Sequence, residues 1–241
     1  MKLRNLLFPV MCLAVVACSD DDDDMEVMEP AEMMEPMEET PMATEYQFMV
    51  TTTNLTHAQP MSPIGAALHT SGQFWQIGEM ASAELETLAE SGDHSGLLGL
   101  EVVNATAAAE GALPPGENVE LTLTTDSLTD QKLTIISMMV NTNDGFTGLN
   151  SLDVSSMAVG DVMSYTTFAY DAGTEANSEA AGTIPGPADN GEGFNAARDD
   201  VDKVAMHPGV VGQDDGLTDS VLSSQHKFDN PLLALTVTRI K

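Results

Sequence analysis

Cysteine is almost missing from this chain: the only two, Cys12 and Cys18, both fall in its first 18 positions. No disulfide framework can staple the residues beyond them, and no cysteine-based zinc site can form there. Positive charge is nearly as scarce, with 8 Lys and Arg against 38 Asp and Glu and a formal net charge of -30. Such a chain has no basic patch with which to displace counterions from phosphates, which excludes nucleic acid as a partner. It is also repelled by anionic lipid head groups and suits cations instead. Catalytic signatures are missing too. His57, His69, His94, His207 and His226 show no HExxH spacing, so a zinc site would need histidines gathered from scattered positions. The run Gly92-Asp93-His94-Ser95-Gly96 has its serine displaced by one from a nucleophile elbow. There is no phosphate-binding glycine loop and no dinucleotide fingerprint. These absences point away from an enzyme.

What is present begins with a processing signal. Lys2 and Arg4 form a positive n-region, Leu6 to Val16 an apolar h-region, and small residues close the segment, as in a secretory leader. It is too short for a comfortable transmembrane helix. Val15-Val16-Ala17-Cys18 resembles a bacterial lipobox, in which cleavage precedes the cysteine and its thiol carries a diacylglycerol. That expectation makes residues 1–17 a lipoprotein signal peptide and Cys18 the lipidated residue. Two or more acyl chains on one residue anchor stably where one is marginal. An ordinary signal cut near Ala17 would instead leave Cys18 a lone thiol. Ser19 after the cysteine points to the outer membrane, by analogy with other bacterial lipoproteins.

Residues 18–44 are rich in acids, Met and Pro and hold no Lys or Arg. Like charges keep such a segment extended, and Pro30, Pro36 and Pro41 stop any long helix. The expectation is a disordered spacer. Ordering Asp20 to Asp24 around one ion would cost backbone entropy, which favours the spacer over a defined site.

From residue 45 the pattern changes to that of a globular domain reaching residue 241. Tyr46, Phe48 and Val50 alternate with polar or smaller neighbours, as do Val119, Leu121 and Leu123, and again Leu233, Leu235 and Val237. Each reads as a strand with one buried face. Leu133 to Val140 is apolar on both faces, as in a central strand. Met163 and Tyr165 change face before Phe168 and Tyr170, suggesting a bulge. Ala81 to Ser91 predicts a helix, with Leu85, Leu88 and Ala89 on one face and Gly92 to close it. The sum is an all-β fold: a β-sandwich with long loops and one or two short helices.

At this point the chain resembles the spondin N-terminal domain family, in its bacterial branch. The likeness rests on YQFMVTTTNLTHAQPMSP and GAALHTSGQFWQIGEMAS, on AELETLAESGDHSGLL, on SMMVNTNDGFTGLNSLD with YDAGTEANSE, and on HPGVVG with NPLLALTVTRI. It spans residues 45–241. Its most specific piece is Asp171-Ala172-Gly173-Thr174-Glu175, paired with Asn143-Asp144-Gly145-Phe146-Thr147-Gly148 upstream. The resemblance implies a C2-like antiparallel β-sandwich that holds a calcium ion in a loop region. Its ligands would be Asp144 in one loop and Asp171 and Glu175 in another. Animal members are extracellular matrix proteins, which implies adhesion or binding.

The residue types alone leave two readings open. Asp171 and Glu175 flank Gly173, where a tight turn could aim both carboxylates at one point, and Asp144 comes after a core strand. Calcium wants six to eight oxygens, several of them from carboxylates on loops. Alternatively, Asp144 caps a turn and the other two are solvated. The clusters Asp199, Asp200 and Asp202, and Asp214, Asp215 and Asp219, read as solvated loops, with a second cation site as the alternative. Phe74 and Trp75 read as core, and His69 and His207 as packing or loop residues.

Three functions fit these features. The first is a calcium-binding adhesion or binding module on the cell envelope. It would meet an envelope or extracellular protein or glycan and touch the membrane through its lipid anchor. The second is a metal-dependent envelope hydrolase, which needs a base beside the metal, such as His69 or His207 next to Asp171. The third is a metal-free structural envelope protein, which expects the three acids to lie far apart.

Overall fold

The computed structural model describes residues 44–241. The signal segment, Cys18 and the spacer through residue 43 lie outside the described residues. Within them the chain is an antiparallel all-β sandwich with two short helices, as the patterning predicts. Its strands are β1 (Tyr46–Asn54), β2 (Gly65–His69), β3 (Val103–Ala108), β4 (Asn118–Thr125), β5 (Lys132–Met138), β6 (Gly145–Asp153), β7 (Val162–Thr166), β8 (Phe168–Asp171), β9 (Ala205–Met206) and β10 (Leu233–Arg239). Between β2 and β3 lie α1 (Ala83–Ser91) and α2 (Ser95–Leu98). One sheet has the order β4-β1-β10-β7 and the other β3-β2-β5-β6-β8-β9.

The first and last strands pair with each other, Val50 opposite Val237. Phe48 and Val50 of β1, Leu121 and Leu123 of β4, and Leu235 and Val237 of β10 face inward onto Leu68, Leu133 and Ile135 of the six-stranded sheet. Alternation in the sequence marks this half-buried sheet, because every second side chain meets the core. The six-stranded sheet is covered on both faces. Its outer side carries a second cluster in which Ala67, Ile136 and Phe146 meet Trp75 and the Leu85, Leu88 and Ala89 stripe of α1. This explains the unbroken apolar run of β5, which lies between β2 and β6 with nearly every residue buried.

Helix α1 begins where Ser82 accepts a hydrogen bond from the Leu85 N–H and ends at Gly92, whose φ of 77° lets its N–H return to the Leu88 carbonyl. The change of face around Thr166 is not a bulge. β7 belongs to the four-stranded sheet and β8 to the other. Thr167 makes the corner: its N–H donates to the Leu233 carbonyl, while its hydroxyl lies 2.7 Å from that of Thr147. A strand that crosses between sheets must turn its inward face over, and in a sequence this resembles an inserted residue.

Candidate metal centre

The β5–β6 connection and the turn after β8 lie side by side because β6 and β8 pair, placing Gly145 opposite Asp171. The pairing extends one step beyond the strands, where the Ala172 N–H donates to the Asp144 carbonyl. Local chemistry shapes both loops. Thr142 Oγ1 accepts from the Gly145 N–H at 2.9 Å and donates to the Met139 carbonyl at 2.6 Å, closing the first turn. A Cβ on Gly145 would stand 2.5 Å from that Oγ1, so any larger residue after Asp144 must displace the Thr142 side chain that closes the turn. Gly173 has φ of +70°, and a Cβ there would meet the Lys203 carbonyl oxygen at 2.4 Å. The DAGTE turn is thereby pressed against the backbone of the 191–204 segment, and the Asp202 N–H donates to the Gly173 carbonyl at 2.9 Å.

Asp144 is the buried centre of this arrangement. Its side chain is 0% exposed, and Oδ2 accepts from the Thr174 N–H at 2.8 Å and the Glu175 N–H at 3.1 Å. Its Oδ1 is buried without a hydrogen-bond partner. Burial, with the charge of Asp171 second, pushes the Asp144 carboxyl up to about 7. Asp171 is nearly buried and both its oxygens are engaged, Oδ1 by the Gly173 N–H at 2.8 Å and Oδ2 by the Asn177 amide at 2.6 Å. Glu175 is half-buried and lines a cavity of about 90 Å³ together with Asn143, Glu192, Asn195 and Asp199. Burial, then the charge of Glu90, pushes its carboxyl up to about 8.

The structure therefore makes Asp144, Asp171 and Glu175 neighbours. It does not draw them into a finished coordination sphere: among the described residues, no group of three or more His, Cys, Asp or Glu side chains converges in metal-holding geometry. The donors do suit a hard cation. They are carboxylates on loops, and one buried carboxylate oxygen has nothing to bind.

Two groups absent from the sequence-based set also belong here. Glu90, in the last turn of α1, is 0% exposed; its Oε2 accepts from the Asn195 N–H at 2.8 Å, while Oε1 is buried without a partner. Asn143 ties the neighbourhood to the loop beyond, donating to the Thr183 hydroxyl at 3.0 Å and accepting from the Glu179 N–H. The spacing of Glu86 and Glu90, four apart beside the Leu85 and Ala89 stripe, is the one signal that could have drawn attention to the helix.

The other candidates fall elsewhere. His69 is buried between the Ser71 carbonyl and the Thr134 hydroxyl, each at 2.9 Å. His207 packs on Phe228 with ring centroids 5.2 Å apart, and its Nδ1 accepts from the Gly209 N–H. Neither ring hydrogen-bonds a carboxylate. Of the two acidic clusters, Asp202 pairs with Arg198 at 3.2 Å and Asp215 with Lys227 at 2.5 Å. Phe74 and Trp75 are core residues, as their sequence context predicts. Compared with known proteins, the chain matches no family model and no curated protein.

Proposed function

We propose that this domain is a calcium-stabilised binding or adhesion module, exported and held at the outer membrane through Cys18, with Asp144, Asp171 and Glu175 as cation ligands. The observation that carries the reading is the buried, unpartnered Oδ1 of Asp144 beside two further acidic loop residues. An unpaired buried carboxylate is costly unless a cation or a proton neutralises it. Calcium, when bound, supplies that charge and a demand for six to eight oxygens.

The chain's own residues do the rest. The Thr174 and Glu175 N–H groups fix Asp144 through its other oxygen, and Gly173 sets the turn that brings Asp171 and Glu175 alongside. The role we read is binding, with His69 held by the Ser71 carbonyl and the Thr134 hydroxyl and His207 packed on Phe228 rather than bonded to the three acids. The partner is an envelope or extracellular protein or glycan, consistent with the secretory leader and lipobox resemblance of the first 18 residues. The spondin-like motifs support the same reading.

Thermal unfolding of wild type and Asp171→Asn in excess calcium and in chelator tests it. A ligand at about 100 times its Kd stabilises the folded state by roughly 2.7 kcal/mol. A calcium-dependent rise that Asp171→Asn loses is the expected result; an unfolding temperature indifferent to millimolar calcium removes the metal from the account.

A further inference from the structure

An open groove of about 360 Å³ lies on the outer side of the six-stranded sheet, lined by Gln73, Trp75, Gln76, Ile77, Asn150 and Tyr170. None of these side chains is charged, although acids outnumber bases 38 to 8 along the chain. Rings in fixed geometry back the groove. Trp75 meets Phe146 edge-on at 5.3 Å and Tyr170 at 5.4 Å, and Tyr170 stacks on Phe146 at 5.3 Å. The loop that carries Trp75 is pinned from β6. Asn150 Oδ1 accepts the Phe74 N–H at 3.0 Å, its Nδ2 donates to the Trp75 carbonyl at 2.8 Å, and the Ser151 hydroxyl donates to the Gly72 carbonyl at 2.8 Å. Asn150 thus spends its amide on the scaffold, while Gln73 and Gln76 stand exposed. The apolar surface continues past the groove. Phe168, two residues before Tyr170 on the same face of β8, is 49% exposed, and Met206, opposite Tyr170 on β9, is 44% exposed.

We propose that this groove binds a neutral glycan. The proposal rests on the binding-module reading above, though not on its calcium, and narrows the partner to one chemical class. A pyranose ring has an apolar C–H face, which suits the Tyr170 and Phe168 rings. It also has hydroxyls that both give and take hydrogen bonds, and the Gln73 and Gln76 carboxamides match them because each holds donors and an acceptor. Charge selects the same class. An acidic sugar, a nucleotide or a phosphate meets no base among the lining residues and is repelled by the net charge of -30, as is a second copy of the chain. A cationic ligand finds no carboxylate there. The pinned loop and stacked rings make the groove ready-formed, and its volume is that of a small-molecule site.

Trp75 is the only tryptophan in the chain, so its emission reports on the groove directly. The full chain in chelator is titrated with cellohexaose, laminarihexaose and chitohexaose, and with heparin as the anionic counterpart, by tryptophan emission and by calorimetry. Wild type is compared with the double variant Gln73→Ala, Gln76→Ala and with Ile77→Asp, all at exposed positions where the unfolding temperature should hold. The expected result is saturable binding of at least one neutral hexasaccharide with a change in Trp75 emission. Binding should be about ten-fold weaker in the double variant, which loses two hydrogen-bonding side chains, and heparin should not bind. No saturable binding of any of the three neutral probes overturns the proposal, as does wild-type affinity in both variants or a preference for heparin. Unfolding of the same samples with and without calcium keeps the two readings apart. A calcium response that survives such a failure removes the glycan groove and leaves the calcium-stabilised module standing, and absence of both removes both.

Discussion

Two polar clusters flank the same β5–β6 connection and are satisfied in opposite ways. On one side is a network of neutral amides. Asn54 donates to the Gln59 and Leu113 carbonyls, Gln59 donates to the Asn141 and His226 carbonyls, and Asn141 donates to the Ala58 carbonyl. On the other side, three residues on from Asn141, Asp144 is as deeply buried yet leaves one oxygen empty, as does Glu90. Amides carry donors and acceptors together, so loops of one chain can close a network among themselves. Ionised carboxylates only accept, and with 8 Lys and Arg against 38 acids the chain has few cations to offer them. The amide side is complete in itself; the carboxylate side leaves acceptor oxygens unpaired, and on the proposed reading a cation fills that need.

Breaking the amide side should cost the most and be blind to calcium. Asn54→Leu removes one of the two donors to each of the Gln59 and Leu113 carbonyls and leaves the Thr56 N–H without its acceptor. The expected loss is about 3–5 kcal/mol, since four hydrogen bonds worth roughly 0.5–1.5 kcal/mol each are lost and one N–H is left unpaired. Denaturant unfolding in calcium and in chelator should show the same loss.

The next effect sharpens the contrast through pH. Burial lowers the His207 imidazole to about 4 from its ordinary 6.5. The unfolded chain takes up this proton as pH falls through 6.5, while the folded chain resists until about 4. Stability from this group is therefore full above pH 6.5 and declines across that window, by about 3 kcal/mol in total at 1.36 kcal/mol per unit. His207→Gln should flatten that part of the stability profile, with calcium present or absent.

Gly173→Ala attacks the carboxylate side through its backbone. The positive φ and the contact with Lys203 make the added methyl cost about 2 kcal/mol. Calcium stabilisation should shrink as the turn is displaced, which unfolding temperatures with and without calcium will register. The smallest effect has the most telling sign. Asp144→Asn removes a buried charge and should raise stability in chelator by about 1–2 kcal/mol while abolishing the calcium response. A polar substitution that stabilises the metal-free domain would set this cluster apart from the amide network, where any loss destabilises.

The sandwich was legible wherever one face of a strand is buried. Alternation in β1, β4 and β10 stems directly from the half-covered sheet, and the double-sided run of β5 from the helix layer outside it. The β7–β8 corner was not legible, because crossing between sheets and inserting a residue change the phase of the pattern alike. Helix α2, four residues long, is too short to carry a period. At the site, the acids flanking Gly173 could be read as neighbours. Their inequality could not. Asp171 is held by Gly173 and Asn177, whereas Asp144 keeps a free oxygen. Glu90 was hidden for a related reason: its burial comes from the 191–204 segment, more than 100 residues away along the chain.

The most direct test of the central claim is calcium binding to the full chain by calorimetry, with Asp144→Asn alongside. A single saturable site present in wild type and absent in Asp144→Asn is the predicted result. Equal, shallow binding by both would assign the heat to the acidic surface at large and contradict a built site at Asp144.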